Sequence, residues 1–155
     1  MDWALIALYS PGPGDAVVNS LPLRSAFSIQ CLDNGHLRYE TKRGETVSGT
    51  GKLEKFSWVG KSFFGWRPVG GRVNSLERTV CWDNGMVPRE VEVLQADARG
   101  RFAEDRDEGS MVFNEAKEWV GMLVGADSGH AGYVTPAADI IADIKERTGG
   151  TITLV

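Results

Sequence analysis

The chain has 155 residues, 42% of them hydrophobic and 25% charged, a length and balance that suit one globular domain over 1–155. Its formal charge of −4 excludes a general nucleic-acid binder, which needs a basic face to neutralise phosphates. No apolar run approaches the roughly 20 residues that cross a bilayer, so no membrane segment is expected.

The first eight residues, Met1-Asp2-Trp3-Ala4-Leu5-Ile6-Ala7-Leu8, lack the basic start and small-residue cleavage site of a signal peptide. They read as a strand, and a cytoplasmic location is the matching expectation. Period-two runs at 16–18, 27–32, 36–40, 72–76 and 91–94 predict further short strands. Nineteen glycines and many Asn/Asp turns separate them, the pattern of an antiparallel sandwich or barrel.

Two segments echo each other, Cys31-Leu32-Asp33-Asn34-Gly35 and Cys81-Trp82-Asp83-Asn84-Gly85. Asn-Gly tolerates positive φ at both turn positions, so each copy is expected to close a hairpin. The two cysteines are too far apart in sequence to form a scaffold, and both are expected to be free thiols. Neither histidine, His36 or His130, lies near a cysteine pair, so no metal and no cofactor is expected. His36 alternates with Leu37 and reads as a solvent-facing strand residue.

Near the end of the chain, Ile140, Ile141 and Ile144 form an apolar stripe at helical spacing. Thr135 suits the N-cap, Pro136 the first turn, and Gly149-Gly150 the stop, which predicts a helix over about 136–147.

The most informative stretch is Arg106-Asp107-Glu108-Gly109-Ser110-Met111-Val112-Phe113, with Trp119-Val120-Gly121-Met122-Leu123-Val124-Gly125 close behind. It resembles the nucleophile segment of chymotrypsin/trypsin-like serine proteases, where Gly-Asp-Ser-Gly-Ser precedes a strand, a turn and a Gly-rich strand. Three further segments carry the same resemblance. Residues 2–8 look like the strand that begins with the triad aspartate. Residues 59–74 resemble a Val-x-Lys-x-Gly-Arg-Thr-Thr-Gly segment leading to Gly-x-Val-Asn, although Ser62-Phe63-Phe64 departs from it. Gly132-Tyr133-Val134-Thr135-Pro136 resembles the last strand before a terminal helix.

The resemblance implies an all-β fold: a single antiparallel six-stranded trypsin-like barrel with a C-terminal α-helix, equivalent to the second barrel of the family. On that pattern Asp2 takes the place of the orienting aspartate, and Glu108 stands where the nucleophilic serine belongs. Arg106 stands where the first glycine belongs. The triad histidine has no counterpart. A carboxylate at the nucleophile position cannot form the usual acyl-enzyme, and its charge opposes a developing oxyanion. The resemblance also implies a cationic partner for Asp107, and Arg106 is the neighbour expected to supply it.

Ala126-Asp127-Ser128-Gly129-His130 repeats an Asp-Ser-Gly string but falls after the Gly-rich strand, in the loop that borders the family's specificity pocket. Ser128 and His130 are therefore expected to border a binding cleft rather than form a dyad. Phe63, Phe64 and Trp66 sit in a Gly-rich region that is polar in the family and are expected to form an apolar binding patch. The leading expectation is a catalytically inactive protease domain that binds a protein or peptide through this cleft.

The alternative is a cofactor-free enzyme in which Glu108, its pKa raised by burial, works as general acid or base on a small molecule in the vestigial cleft. Isomerisation, cyclisation or hydration would suit it. A serine replaced by design would leave the same Glu108, but Arg106 departs from the motif too, which favours natural divergence. A barrel without its companion exposes a face that a homodimer or a partner subunit would cover.

Overall fold

A computed structural model describes residues 20–62, 68–79, 89–96, 100–104, 106–129, 131–152 and 154. Six strands, β1 (Trp58–Lys61), β2 (Val69–Thr79), β3 (Arg89–Gln95), β4 (Met111–Asn114), β5 (Trp119–Ala126) and β6 (Gly132–Pro136), are followed by one helix, α1 (Ala137–Thr148). The strands close in the order β1-β2-β3-β6-β5-β4, and every pairing is antiparallel. The expected six-stranded barrel with a C-terminal helix is what the chain forms. Among the described residues, no helix is long and apolar enough to cross a membrane.

Side chains alternate across each strand, and closure sends one set inward. Val59, Val73, Val93, Val112, Val120, Leu123 and Val134 fill the barrel together with Phe102 and Ala103. The opposite faces of β1 and β4 carry Trp58 and Phe113, which pack outside the barrel against Phe27, Tyr39 and Leu32 of the preceding segment. Phe27 meets Tyr39 edge-on at 5.6 Å, and Tyr39 meets Trp58 at 5.3 Å. Burial pushes the Tyr39 phenol up to about 12, and its hydroxyl donates to the Pro22 carbonyl at 2.9 Å.

One hydrogen bond pins this outer layer to the barrel: Trp58 Nε1 donates to the Cys31 carbonyl at 2.7 Å. Gly70 makes that approach possible, because a Cβ there would stand 2.1 Å from the same carbonyl oxygen. Cys31 is a buried free thiol, as expected. Cys81 lies outside the described residues.

Three local expectations are corrected. The first Asn-Gly copy does not turn a hairpin: Asp33–Gly35 is a 3-10 turn, and 27–32 and 36–40 form no strand. Their apolar residues alternate because the aromatic layer takes them up from irregular backbone, not because a neighbouring strand pairs with them. The second copy falls in the connection between β2 and β3, outside the described residues, as do the expected strands at 2–8 and 16–18. The helix starts one residue later than expected, with Pro136 at the N-cap and no side-chain capping bond. Thr135 is diverted from capping, since its hydroxyl donates to Glu90 Oε2 at 2.8 Å. Ile140 and Ile144 are buried, and Gly149 at φ +69 ends the helix as its C-cap.

On β3 the inward positions are Val91 and Val93, so Glu90 and Glu92 occupy the outer face, yet they are only 4% and 2% exposed. Asn74 Nδ2 donates to Glu92 Oε2. Burial, with a contribution from Asp139, holds the Glu90 carboxyl above the usual value of 4.5, while the Thr135 bond pulls the other way. The folded chain therefore keeps a proton that the unfolded chain gives up. The associated stability is complete below about pH 4.5 and is lost as pH rises through the folded-state value. Glu90→Gln, which still accepts from Thr135, is expected to match the parent near pH 4 and to exceed it in stability at pH 7. Urea unfolding at the two pH values checks this; equal stabilities at pH 7 would show that the charge is already compensated.

Candidate functional site

Loop 104–110 is built from two consecutive turns. The Asp107 N–H donates to the Glu104 carbonyl at 3.1 Å, and the Ser110 N–H donates to the Asp107 carbonyl at 3.1 Å. Arg106 at φ +93 and Gly109 at φ +83 supply the left-handed residues that such turns require. Below the loop, the Gly109 N–H donates to the Leu123 carbonyl at 2.8 Å and the Leu123 N–H to the Ser110 carbonyl at 3.0 Å. The tight loop expected at 106–110 is present, seated on β4 and β5.

Beneath it lies a buried ion pair. Lys61 follows Val59 on the inward face of β1 and stands opposite Val69 and Val112, so its side chain enters the barrel at the loop end. It is 3% exposed, and its ammonium pairs with Asp107 Oδ2. That oxygen also accepts the Glu104 N–H at 2.9 Å. Desolvation holds the Lys61 ammonium below its ordinary pKa of 10.5, while the bond to Asp107 opposes the shift. The Phe102 ring lies 5.8 Å below the ammonium.

The cation that balances Asp107 is therefore Lys61, and the expectation that Arg106 fills this role is corrected. Arg106 is exposed, whereas Lys61 is buried and paired with Asp107. The sequence did hold a signal for Lys61: period two along Val59-Gly60-Lys61 puts a lysine on the same face as a core valine. Phe102 was also missed, because no strand period surrounds it. It is 0% exposed and fills the barrel end between Gly71 and Gly132, where a Cβ on either glycine would stand 2.6 to 2.7 Å from its ring.

Glu108 sits exposed on the second turn, and Ser110 beside it is buried. Among the described residues nothing encloses the Glu108 side chain, as an acid–base role for it calls for. Among the described residues the backbone N–H groups of Arg106 and Glu108 have no hydrogen-bond acceptor, so the loop presents two open donors on either side of Asp107.

Ser128 is exposed in the 127–131 turn, which Asp127 organises by accepting the Ala131 N–H at 3.0 Å and the Tyr133 hydroxyl at 3.2 Å. Ser128 has no acid or base partner among the described residues. His36 is exposed but belongs to a turn, and it lines a cavity shared with Asn114 at the far end of β4. Asp2, Phe63, Phe64, Trp66 and His130 lie outside the described residues. β1 ends and β2 begins at the loop end of the barrel, because Lys61 pairs with both Val69 and Val112. Among the described residues no group of histidine, cysteine or carboxylate side chains is arranged to hold a metal ion.

No protein-family model and no curated protein matches the sequence. Solved structures do. The chain is similar to a glutamic acid specific serine protease described as utilising a novel histidine triad in substrate binding, with TM-score 0.56 and 18% identity over 92% of this chain and 64% of that one. It is also similar to a protease from Nocardiopsis, with TM-score 0.53 and 19% identity over 69% of this chain and 55% of that one. The chain spans less than two thirds of the length of either structure. Its fold is that of the chymotrypsin/trypsin-like serine proteases.

The ion pair and the strained turn give opposite expectations. Lys61→Met leaves Asp107 unpaired at the barrel end and is expected to lower unfolding free energy by about 3 kcal/mol, with part of it regained in Lys61→Met/Asp107→Asn. Urea titration of the single and double variants checks this; a loss under about 1 kcal/mol would place the pair within the range of an exposed bridge. Arg106→Gly removes a side chain from a left-handed position and is expected to raise stability by about 1 kcal/mol. A lower melting temperature would instead assign the Arg106 side chain a structural contact.

Proposed function

We propose that this trypsin-like barrel performs no proteolysis of its own and serves to bind a protein or peptide segment at the end carrying loop 104–110. One observation carries the reading. The loop keeps its tight turns and its buried Lys61–Asp107 support, yet the residue on its apex is an exposed glutamate. A scaffold under a nucleophile has been kept where the nucleophile has not. A carboxylate there carries charge where an oxyanion would develop, so the two open N–H donors have no acyl intermediate to stabilise. They remain good partners for a peptide carbonyl or a carboxylate, alongside exposed Arg106. Phe63, Phe64 and Trp66 follow β1 in the sequence, and in this reading they supply the apolar anchor of such an interface. A second copy of the barrel is the other partner this end would accept.

Two measurements test the reading. The chain treated with diisopropyl fluorophosphate is expected to show no mass increase, and a phosphoryl adduct on any serine would overturn the non-proteolytic half. A peptide selected from a display library on the chain is expected to lose at least about tenfold in affinity with Phe63→Ala/Trp66→Ala, at unchanged melting temperature. Equal affinity would move the interface elsewhere, and sedimentation equilibrium of the chain alone reports whether the occupant is a second copy.

A further inference from the structure

At the opposite end of β4 from the loop, a cavity of about 670 Å³ opens between the β4–β5 turn, the segment leading into β1, and His36. Its size falls within the range of small-ligand and side-chain sites. Its lining includes a fixed carboxylate, Glu118. Asn114 Nδ2 donates to Glu118 Oε2 at 2.8 Å, and the Glu118 N–H donates to Asn114 Oδ1 at 2.9 Å. The carboxylate lies on Gly51, where a Cβ would stand 2.4 Å from Oε2, so nothing larger than glycine leaves it in place. Glu118 Oε1 has no hydrogen-bond partner among the described residues.

Phe56 forms one wall. It is 66% exposed and held at φ +65, a conformation bulky residues rarely adopt. Two bonds hold it there: the Phe56 N–H donates to the Val73 carbonyl at 2.9 Å, and Arg72 Nη1 donates to the Phe56 carbonyl at 3.2 Å. The charge of the lining is acidic. Arg72 is matched by Asp33 at 2.6 Å, which leaves Glu54, Glu115 and Glu118 against Lys52 alone.

We propose that this cavity binds an arginine side chain presented by a peptide or protein partner, at a site separate from the loop end. A guanidinium would donate to Glu118 Oε1 and lay its plane against the Phe56 ring. Arginine suits both contacts at once, because its planar fork matches a carboxylate and stacks on an aromatic face, whereas a lysine ammonium offers only a point charge. The volume exceeds a guanidinium alone, so flanking peptide would lie along Leu37 and the Phe56 wall.

The test titrates acetyl-Gly-Arg-Gly-amide, and its lysine and citrulline counterparts, into the isotope-labelled full chain. Amide shifts are expected around residues 51–57 and 114–118, with the arginine peptide bound at least about threefold more tightly than the lysine one. Glu118→Gln, which still accepts from Asn114, is expected to weaken binding about tenfold. Phe56→Ala is expected to weaken it about threefold, both at unchanged melting temperature. Equal binding of the citrulline peptide, shifts confined to loop 106–110, or wild-type affinity in Glu118→Gln would each overturn the proposal.

Discussion

An ammonium group taken out of water inside a barrel costs several kcal/mol unless an anion meets it there. Lys61 meets Asp107, and the geometry of one barrel end follows from that need. Asp107 must reach inward, so the chain on either side of it folds into two short turns. Those turns demand left-handed residues, and they lift Arg106 and Glu108 outward. Phe102 lies below the ammonium and closes the barrel end from within. The loop is thus shaped from beneath by charge pairing and packing, and its apex residue is free to vary without loss of the frame.

A second constraint ties the outer layer to the barrel. Trp58 and Phe113 stand on the faces of β1 and β4 that point away from the interior, and they are covered by Phe27, Tyr39 and their neighbours. The contact closes because Gly70 lets the Cys31 carbonyl come down onto the Trp58 indole. Two residues along β2 from Gly70, Arg72 reaches solvent and bonds to Phe56 in the turn before β1, so one packing arrangement both seals the aromatic layer and shapes the acidic cavity beside it. The two ends of β4 carry different chemistry: open N–H donors and charge at the loop, a fixed carboxylate and an aromatic wall at the turn.

How much of this was legible follows from the range of the forces involved. Val91 and Val93 alternate with glutamates and read correctly as a strand, because period two is a local property of pleated backbone. Ile140 and Ile144 read correctly as one helix face for the same reason. Residues 27–32 alternate just as well and form no strand, because their burial comes from an aromatic layer contributed by β1 and β4. Thr135 looked like a cap and became the partner of a buried carboxylate 45 residues earlier. In each failure a distant group outcompeted the local preference.

By itself the sequence determined the class of fold and the order of strands around the nucleophile-like motif, since these depend on residue type and spacing. Only the tertiary structure decided which cation answers Asp107, what fills the barrel end, and where an acidic cavity opens. Those outcomes rest on desolvation and packing between segments far apart in the chain. Adjacency favoured Arg106 as the partner of Asp107, but the barrel closes with Lys61 inside and Arg106 out in water.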